Sequence, residues 1–381
     1  MKIRRLFSIF LTILLTLSLS ISSFAMTLQE SFTSFYDFAL EQIAVIDGND
    51  PNCPWSNETT IDSTIILYNM DQTPNGYIFK LKTGIIESGF IQIHDIDGAY
   101  SLYCYAYEGD SEVECMLNYW GTDLDENTHI YFLGSFKYLI DSENGGYLDL
   151  SSNCIIERSK DELVTIENNY TTHIEEAPVV LTLNKNKIPD SSTISRGSID
   201  DYTWPITSDF SGITITYNNT TQTVVDHCTP TAATAIVRYL RHLGRTQCST
   251  GESARQTFEE MYIALNTNQI RFNDSSIFYN GDGTARSQIA PGIQYYATQN
   301  GYSLSATRTL LPTLSGMKSQ LDNNKLLLVS VDDFGGISGG HSIVVTGYSS
   351  NTLYVQNGWS RAQINYAYSS LDIAQYVSVG G

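Results

Sequence analysis

Basic residues are scarce in this chain. It holds 21 Lys and Arg against 41 Asp and Glu, a formal net charge of −20. Phosphate contacts need clustered Lys and Arg, so a nucleic-acid partner is not expected. The deficit is uneven. Residues 26–196 carry 8 Lys and Arg against 28 Asp and Glu, whereas residues 197–381 carry 10 against 13. Two units with different surfaces are implied. No CxxC pair and no His/Cys cluster has metal-ligand spacing, so neither a metal site nor a cofactor is expected. Internal repeats and low-complexity tracts are also missing. Beyond the first 25 residues no run is long and apolar enough to span a bilayer.

The one long apolar run is at the start. Lys2, Arg4 and Arg5 precede an apolar stretch from Leu6 to Ile21, and Ser23-Phe24-Ala25 offers small residues to a signal peptidase. Residues 1–25 read as a signal peptide cleaved after Ala25. No cysteine follows the cleavage site, which argues against a lipoprotein. The mature protein is expected to be secreted, with no membrane attachment once the signal is removed. Export permits disulfides. Of the six cysteines, Cys53, Cys104, Cys115 and Cys154 fall in the first unit. Four cysteines allow three pairings; Cys104 and Cys115, flanking an apparent hairpin, make the easiest pair.

From Thr27 to Val45 the aromatic and aliphatic spacing predicts a helix. Between Thr60 and Ile156 the texture becomes β: TIILYNM, GYIFKLKT, FIQIHD, YSLYCYAYEG and IYFLGSFKYLI are short, rich in Tyr, Ile and Phe, and separated by Gly, Asn and Asp. Residues 26–183 are therefore expected to form a β-rich domain. Residues 184–201 are polar and aperiodic, and read as a linker with Lys185, Lys187 and Arg196 as cleavable positions. In residues 202–381, helices are expected from Cys228, around Ala254–Leu265 and around Ile289–Gln299. The strands LLLVSV, HSIVVTGY and TLYVQN follow. The fold class is α+β.

Chemistry concentrates in the second unit. In QTVVDHCTPTAATAIVRYLRHLG, Ala232, Ile236, Tyr239, Leu240 and Leu243 form the apolar stripe of a helix. Pro230 suits its first turn and Gly244 its end. Cys228 thus sits at a helix N-terminus, where free N–H groups favour a thiolate, the nucleophilic form. Far downstream, GGHSIVVTGYSSNTLYVQNGW carries His341, Asn357 and Trp359. If Tyr348 pairs with Thr352 across an SSN turn, His341 lies opposite Trp359 and diagonal to Asn357, on one sheet face. The Asn357 side chain would then orient the imidazole, and Trp359 would cover it. The paired glycines 335–336 and 339–340 before His341 are consistent with a loop over a cleft or with a simple turn.

These residues resemble the papain-like cysteine peptidases, in particular bacteriocin-processing-peptidase-like domains and, more loosely, streptopain. The resemblance covers about residues 217–360. It implies a papain-like domain over 202–381, with Cys228 as nucleophile, His341 as general base, Asn357 as orienting residue and Gln222, six residues before the cysteine, as an oxyanion donor. There are two departures. Thr229 stands where the family usually has Gly, which would narrow the approach to the nucleophile. Asn357 is the papain choice where bacteriocin-processing members often have Asp. The expectation is a peptidase acting on protein or peptide substrates, with the first unit as a propeptide that inhibits it. An amidase or transglutaminase-like acyl transferase is the alternative on the same fold. A catalytically dead binding module is the alternative in another class.

Overall fold

The computed structural model describes residues 32–96, 98–125, 128–142, 145–152, 154–156, 158–175, 202–249, 251–271, 283–332 and 340–381. The expected signal peptide, the linker over 184–201 and the glycines at 335, 336 and 339 lie outside the described residues. Among the described residues no helix is long and apolar enough to cross a membrane.

The first helix, α1 (32–49), buries Phe35, Ala39, Ile43 and Ile46, a stripe at helical spacing. It packs on one face of a meander made by β1 (Thr59–Tyr68), β2 (Pro74–Thr83), β3 (Ile86–Ile96) and β4 (Ala99–Ala106). Tyr77, Phe79, Ile91, Ile93 and Leu102 meet it there, with Trp55. Alternate residues such as Ile78, Phe90 and Cys104 turn to the other face. That face is crossed by α2 (Glu112–Trp120), which starts with a capping box between Ser111 and Glu114. Four short strands follow: β5 (Ile130–Phe132), β6 (Tyr138–Asp141), β7 (Tyr147–Asp149) and β8 (Cys154–Ile156). The unit closes with α3 (Lys160–Glu175).

The second unit opens with a ribbon of β9 (Thr214–Tyr217) and β10 (Thr220–Thr223). Asn218 and Asn219 both take left-handed backbone at its tip, as a two-residue hairpin turn demands. Three helices follow: α4 (Cys228–His242), α5 (Ala254–Ala264) and α6 (Ile289–Asn300). Then come β11 (Ser305–Leu310), α7 (Leu314–Asp322), β12 (Leu326–Asp332), β13 (His341–Ser349), β14 (Thr352–Gln356), β15 (Ile364–Ala367) and β16 (Asp372–Gly380). The fold is α+β, as the sequence led us to expect, and the helices and strands anticipated around the cysteine and the histidine are present.

The two units share one sheet, in the order β11-β16-β12-β13-β14-β15-β4-β3-β2-β1-β5-β6-β7-β8. The joint is antiparallel pairing of β15 with β4, with Asn365 opposite Tyr105 and Tyr366 opposite Cys104. Below it lies one buried cluster to which both units contribute. Tyr103, Val113, Met116, Phe136 and Tyr138 come from the first; Val329, Ile343, Val345, Trp359 and Tyr366 come from the second.

The expected Cys104–Cys115 bridge is absent; both are free thiols, as are Cys53, Cys228 and Cys248. No hairpin joins the two positions. Cys104 is on β4 with its thiol turned to the Gln92 carbonyl in the core, and Cys115 belongs to α2, where its thiol faces the Asp110 carbonyl.

Candidate active site

The helix that carries Cys228 is built by its own apolar run. Ala232, Ala233, Ala235, Ile236, Val237, Tyr239 and Leu240 are buried. They pack with Leu328, Val344 and Val377 of the sheet and with Ile293 and Tyr296 of α6. Asp226, in left-handed backbone, turns the chain from β10 into this helix. His227 sits at its N-cap and Cys228 is its first residue. The helix N-terminus therefore favours negative charge on the thiol. His227 does not reach the nucleophile. Its Nδ1 lies 3.1 Å from the Thr231 hydroxyl, and burial pushes its pKa down to about 4, so it is a neutral core histidine.

The thiol of Cys228 is hydrogen-bonded to His341. Burial opposes a thiolate, but the histidine's hydrogen bond and charge outweigh it, and the thiol's pKa falls below its ordinary value. His341 moves the other way. Burial disfavours the imidazolium, yet the hydrogen bond and charge of Cys228 and the Asn357 carbonyl raise its pKa above the usual value. Opposite shifts on bonded partners favour a thiolate–imidazolium pair.

The orienting contact differs from the expected one. The Nε2 of His341 donates to the main-chain carbonyl of Asn357 at 2.6 Å, not to its side chain. That bond fixes the tautomer, leaving Nδ1 for the thiol. The Asn357 side chain is fully buried and turned elsewhere. Its Oδ1 accepts from the backbone N–H of Trp359 at 2.9 Å and of Ser360 at 3.0 Å. Its Nδ2 donates to Glu112 Oε1 at 3.2 Å and to the Tyr366 hydroxyl at 3.4 Å. The cause is local: β14 ends at Gln356, and a turn through left-handed Gly358 follows. An Asn at the head of such a turn bonds its own backbone two and three residues on.

The register behind this geometry differs from the expected one near the turn. Ser349, not Tyr348, pairs with Thr352. A bulge at Thr346 then restores the anticipated alignment, so that Val344 faces Gln356. His341 and Trp359 accordingly meet, their rings 6.1 Å apart and nearly parallel at 22°.

Thr229 sits beside the nucleophile, where its hydroxyl helps to lower the Cys228 pKa. Its hydroxyl is buried and lies 2.8 Å from that of Ser342, tying the start of α4 to β13. Gln222 is on β10, where its Nε2 donates to the Asn268 carbonyl at 3.0 Å. One amide proton is so engaged and the second remains for another acceptor. Asn268 also donates to the Val225 carbonyl and the Tyr262 hydroxyl. It thereby clamps the strand that leads to the cysteine.

Residues of the first unit complete the surroundings, which no sequence signal announced. The Phe136 ring lies 5.3 Å from His341 and 5.2 Å from Tyr366. Tyr119 stands edge-on to Trp359 at 5.6 Å. Glu112 is buried against Asn357. A groove of about 390 Å³ lies beside Trp359, lined by Cys115, Asn118, Tyr119, Ile206 and Ser208.

Residues 213–379 match the model of the Peptidase_C39 like family. No curated protein matches the chain. The match runs from the β9–β10 ribbon to the last strand and takes in both Cys228 and His341. Over residues 213–379 the C-terminal unit is thus similar to the Peptidase_C39 like family, and that match indicates a cysteine-type peptidase.

Proposed function

We propose that the protein is a secreted cysteine peptidase made as a proenzyme, with Cys228 as nucleophile and His341 as its base and acid. The observation that carries this reading is the coupled pair: a thiol at a helix N-terminus, bonded to an imidazole whose far nitrogen is held by a main-chain carbonyl.

The reaction follows from those atoms. The Cys228 thiolate attacks the carbonyl carbon of a peptide bond, and its electrons move to the carbonyl oxygen. The Cys228 N–H and the free amide proton of Gln222 are the donors for that oxyanion. His341 passes the proton on Nδ1 to the departing amine, leaving a thioester. Water then attacks the thioester with His341 as base, releasing the acid and restoring the pair. Asn357 serves through its carbonyl, which holds the ring. Its side chain holds the turn that places that carbonyl.

Residues 26–183 act as the inhibitory propeptide in this reading. Phe136, Tyr119 and Glu112 pack against His341, Trp359 and Asn357, and cleavage in 184–201 starts activation. A peptide-library digest tests the activity. The chain spanning 26–381 is assayed before and after a trypsin-like protease cuts at Lys185, Lys187 or Arg196. Peptide-bond cleavage that rises after the cut and disappears in Cys228→Ala is expected. Amide or acyl-transfer activity without peptide cleavage would instead place the protein with the amidases or transferases.

A further inference from the structure

The contact between Glu112 and Asn357 joins a buried carboxyl of the first unit to the turn that holds the catalytic histidine. Glu112 is 1 % exposed. The N-terminus of its helix is already engaged by Glu114, whose carboxylate accepts from the Ser111 N–H and hydroxyl. Lys80 is paired with Asp110 and Glu114, and Lys137 with Asp149. The titratable groups facing Glu112 are Tyr103 and Cys104 of β4, Tyr138 of β6, Cys115 of its own helix, and His341 of β13 with its partner Cys228. Of these only His341 can carry positive charge, and its charge is shared with the thiolate.

Proton counting on the hydrogen bonds gives the state of the carboxyl. The Tyr138 hydroxyl has one proton and lies within reach of two acceptors, Glu112 Oε2 at 2.9 Å and Gln92 Oε1 at 3.2 Å. If Glu112 is ionised, Tyr138 must serve it, and the buried Gln92 oxygen keeps only the weak Cys104 thiol at 3.8 Å. If Glu112 is protonated, it donates to Tyr138, Tyr138 donates to Gln92, and Asn357 Nδ2 donates to the remaining carboxyl oxygen. All three groups are then satisfied.

We propose that Glu112 is a proton-operated latch, which in its protonated form holds residues 26–183 over the peptidase site and loosens as pH rises. The proposal rests on the reading of that unit as one that docks on and covers the site. Burial, opposed by the Tyr138 and Asn357 hydrogen bonds and the His341 charge, raises the Glu112 pKa from 4.5 to about 7. Separation of the units would return the carboxyl to water. A carboxyl with a raised docked pKa contributes docking stability fully below its free value and loses it as pH climbs through the docked value. The window is therefore from the ordinary carboxylate range up to about pH 7, and docking is tightest in acid.

The test uses the chain spanning 26–381 with Cys228→Ala, which prevents self-cleavage, alone and combined with Glu112→Gln. The amide of Gln keeps both an acceptor for Asn357 and a donor for Tyr138 but does not titrate. Hydrogen exchange at residues 364–367, corrected for intrinsic rates, reports the β4–β15 joint. Between about pH 5.5 and about pH 8.5, protection should fall about tenfold or more with Glu112 and stay within about threefold with Gln. Equal pH dependence in the two chains, or none in either, overturns the latch. If the Gln chain fails to fold, a carboxyl ¹³C titration of Glu112 in the parent decides. A midpoint near 7 supports the proposal, and one in the ordinary carboxylate range overturns it. A latch that operates in a chain as active as its linker-cut form would leave the proton switch standing and remove the inhibitory reading instead.

Discussion

His341 is the residue on which the site turns, and it is held from three directions: by the Cys228 thiol, the Asn357 carbonyl and the Trp359 ring. His341→Ala is expected to lose nearly as much activity as Cys228→Ala, since nucleophile and base act as a unit. Asn357→Ala keeps the carbonyl that bonds the imidazole, so its direct catalytic loss should be smaller. It removes the acceptor for two backbone N–H groups, each an unsatisfied donor costing about 1–3 kcal/mol. A melting temperature that falls together with kcat in Asn357→Ala, against unchanged melting in His341→Ala, would support that division. Gln222→Ala should lower kcat by roughly 10²–10³, the effect of one oxyanion donor, with KM little changed. The pH profile follows from the two shifts. Lowering the Cys228 pKa extends the thiolate to lower pH, and raising the His341 pKa keeps the imidazolium to higher pH. Activity measured on the cut chain freed of residues 26–183 should show a plateau bounded below by protonation of Cys228 and above by deprotonation of His341. A single rising limb near pH 9 would mean an unpaired thiol.

At the scale of elements, what could be read from the sequence and what could not divide along local and non-local lines. The Cys228 helix, the strand from His341 and the strand to Gln356 follow from apolar spacing, which is a local property, and all three are present. The bulge at Thr346 and the turn through Gly358 depend on how two strands twist together, so the main-chain contact to His341 was not legible. Neither was the pairing of Thr229 with Ser342, because it joins positions 113 residues apart. That pair explains how the family's usual Gly can be replaced. Thr229→Gly leaves the Ser342 hydroxyl buried without its partner and adds backbone freedom in the first helical turn. A loss of about 1–3 kcal/mol in denaturant unfolding is expected. A neutral result would show that the hydroxyl pair contributes nothing to seating the helix.

At the scale of the molecule, the charge asymmetry suggested two units, but nothing in the sequence showed that they share a sheet and a core. Strand pairing between β4 and β15, and the Tyr103, Phe136 and Tyr366 rings beneath it, are long-range contacts without a sequence pattern. Such an interface resembles a domain core more than a transient contact. Cutting the linker should therefore leave the pieces associated in acid, and full activity should require the first piece to leave or be degraded. Phe136→Ala removes a buried ring at the joint, a change that costs about 3–5 kcal/mol in a protein core. It should release activity sooner after the cut. The most direct test of the account is to cut the chain in 184–201, remove residues 26–183, and digest a peptide library with the remaining fragment, alongside the uncut chain and Cys228→Ala. Cleaved peptide bonds from the freed fragment alone are the predicted result. Equal cleavage by the uncut chain would contradict the proenzyme reading, and cleavage by Cys228→Ala would contradict the assignment of the nucleophile.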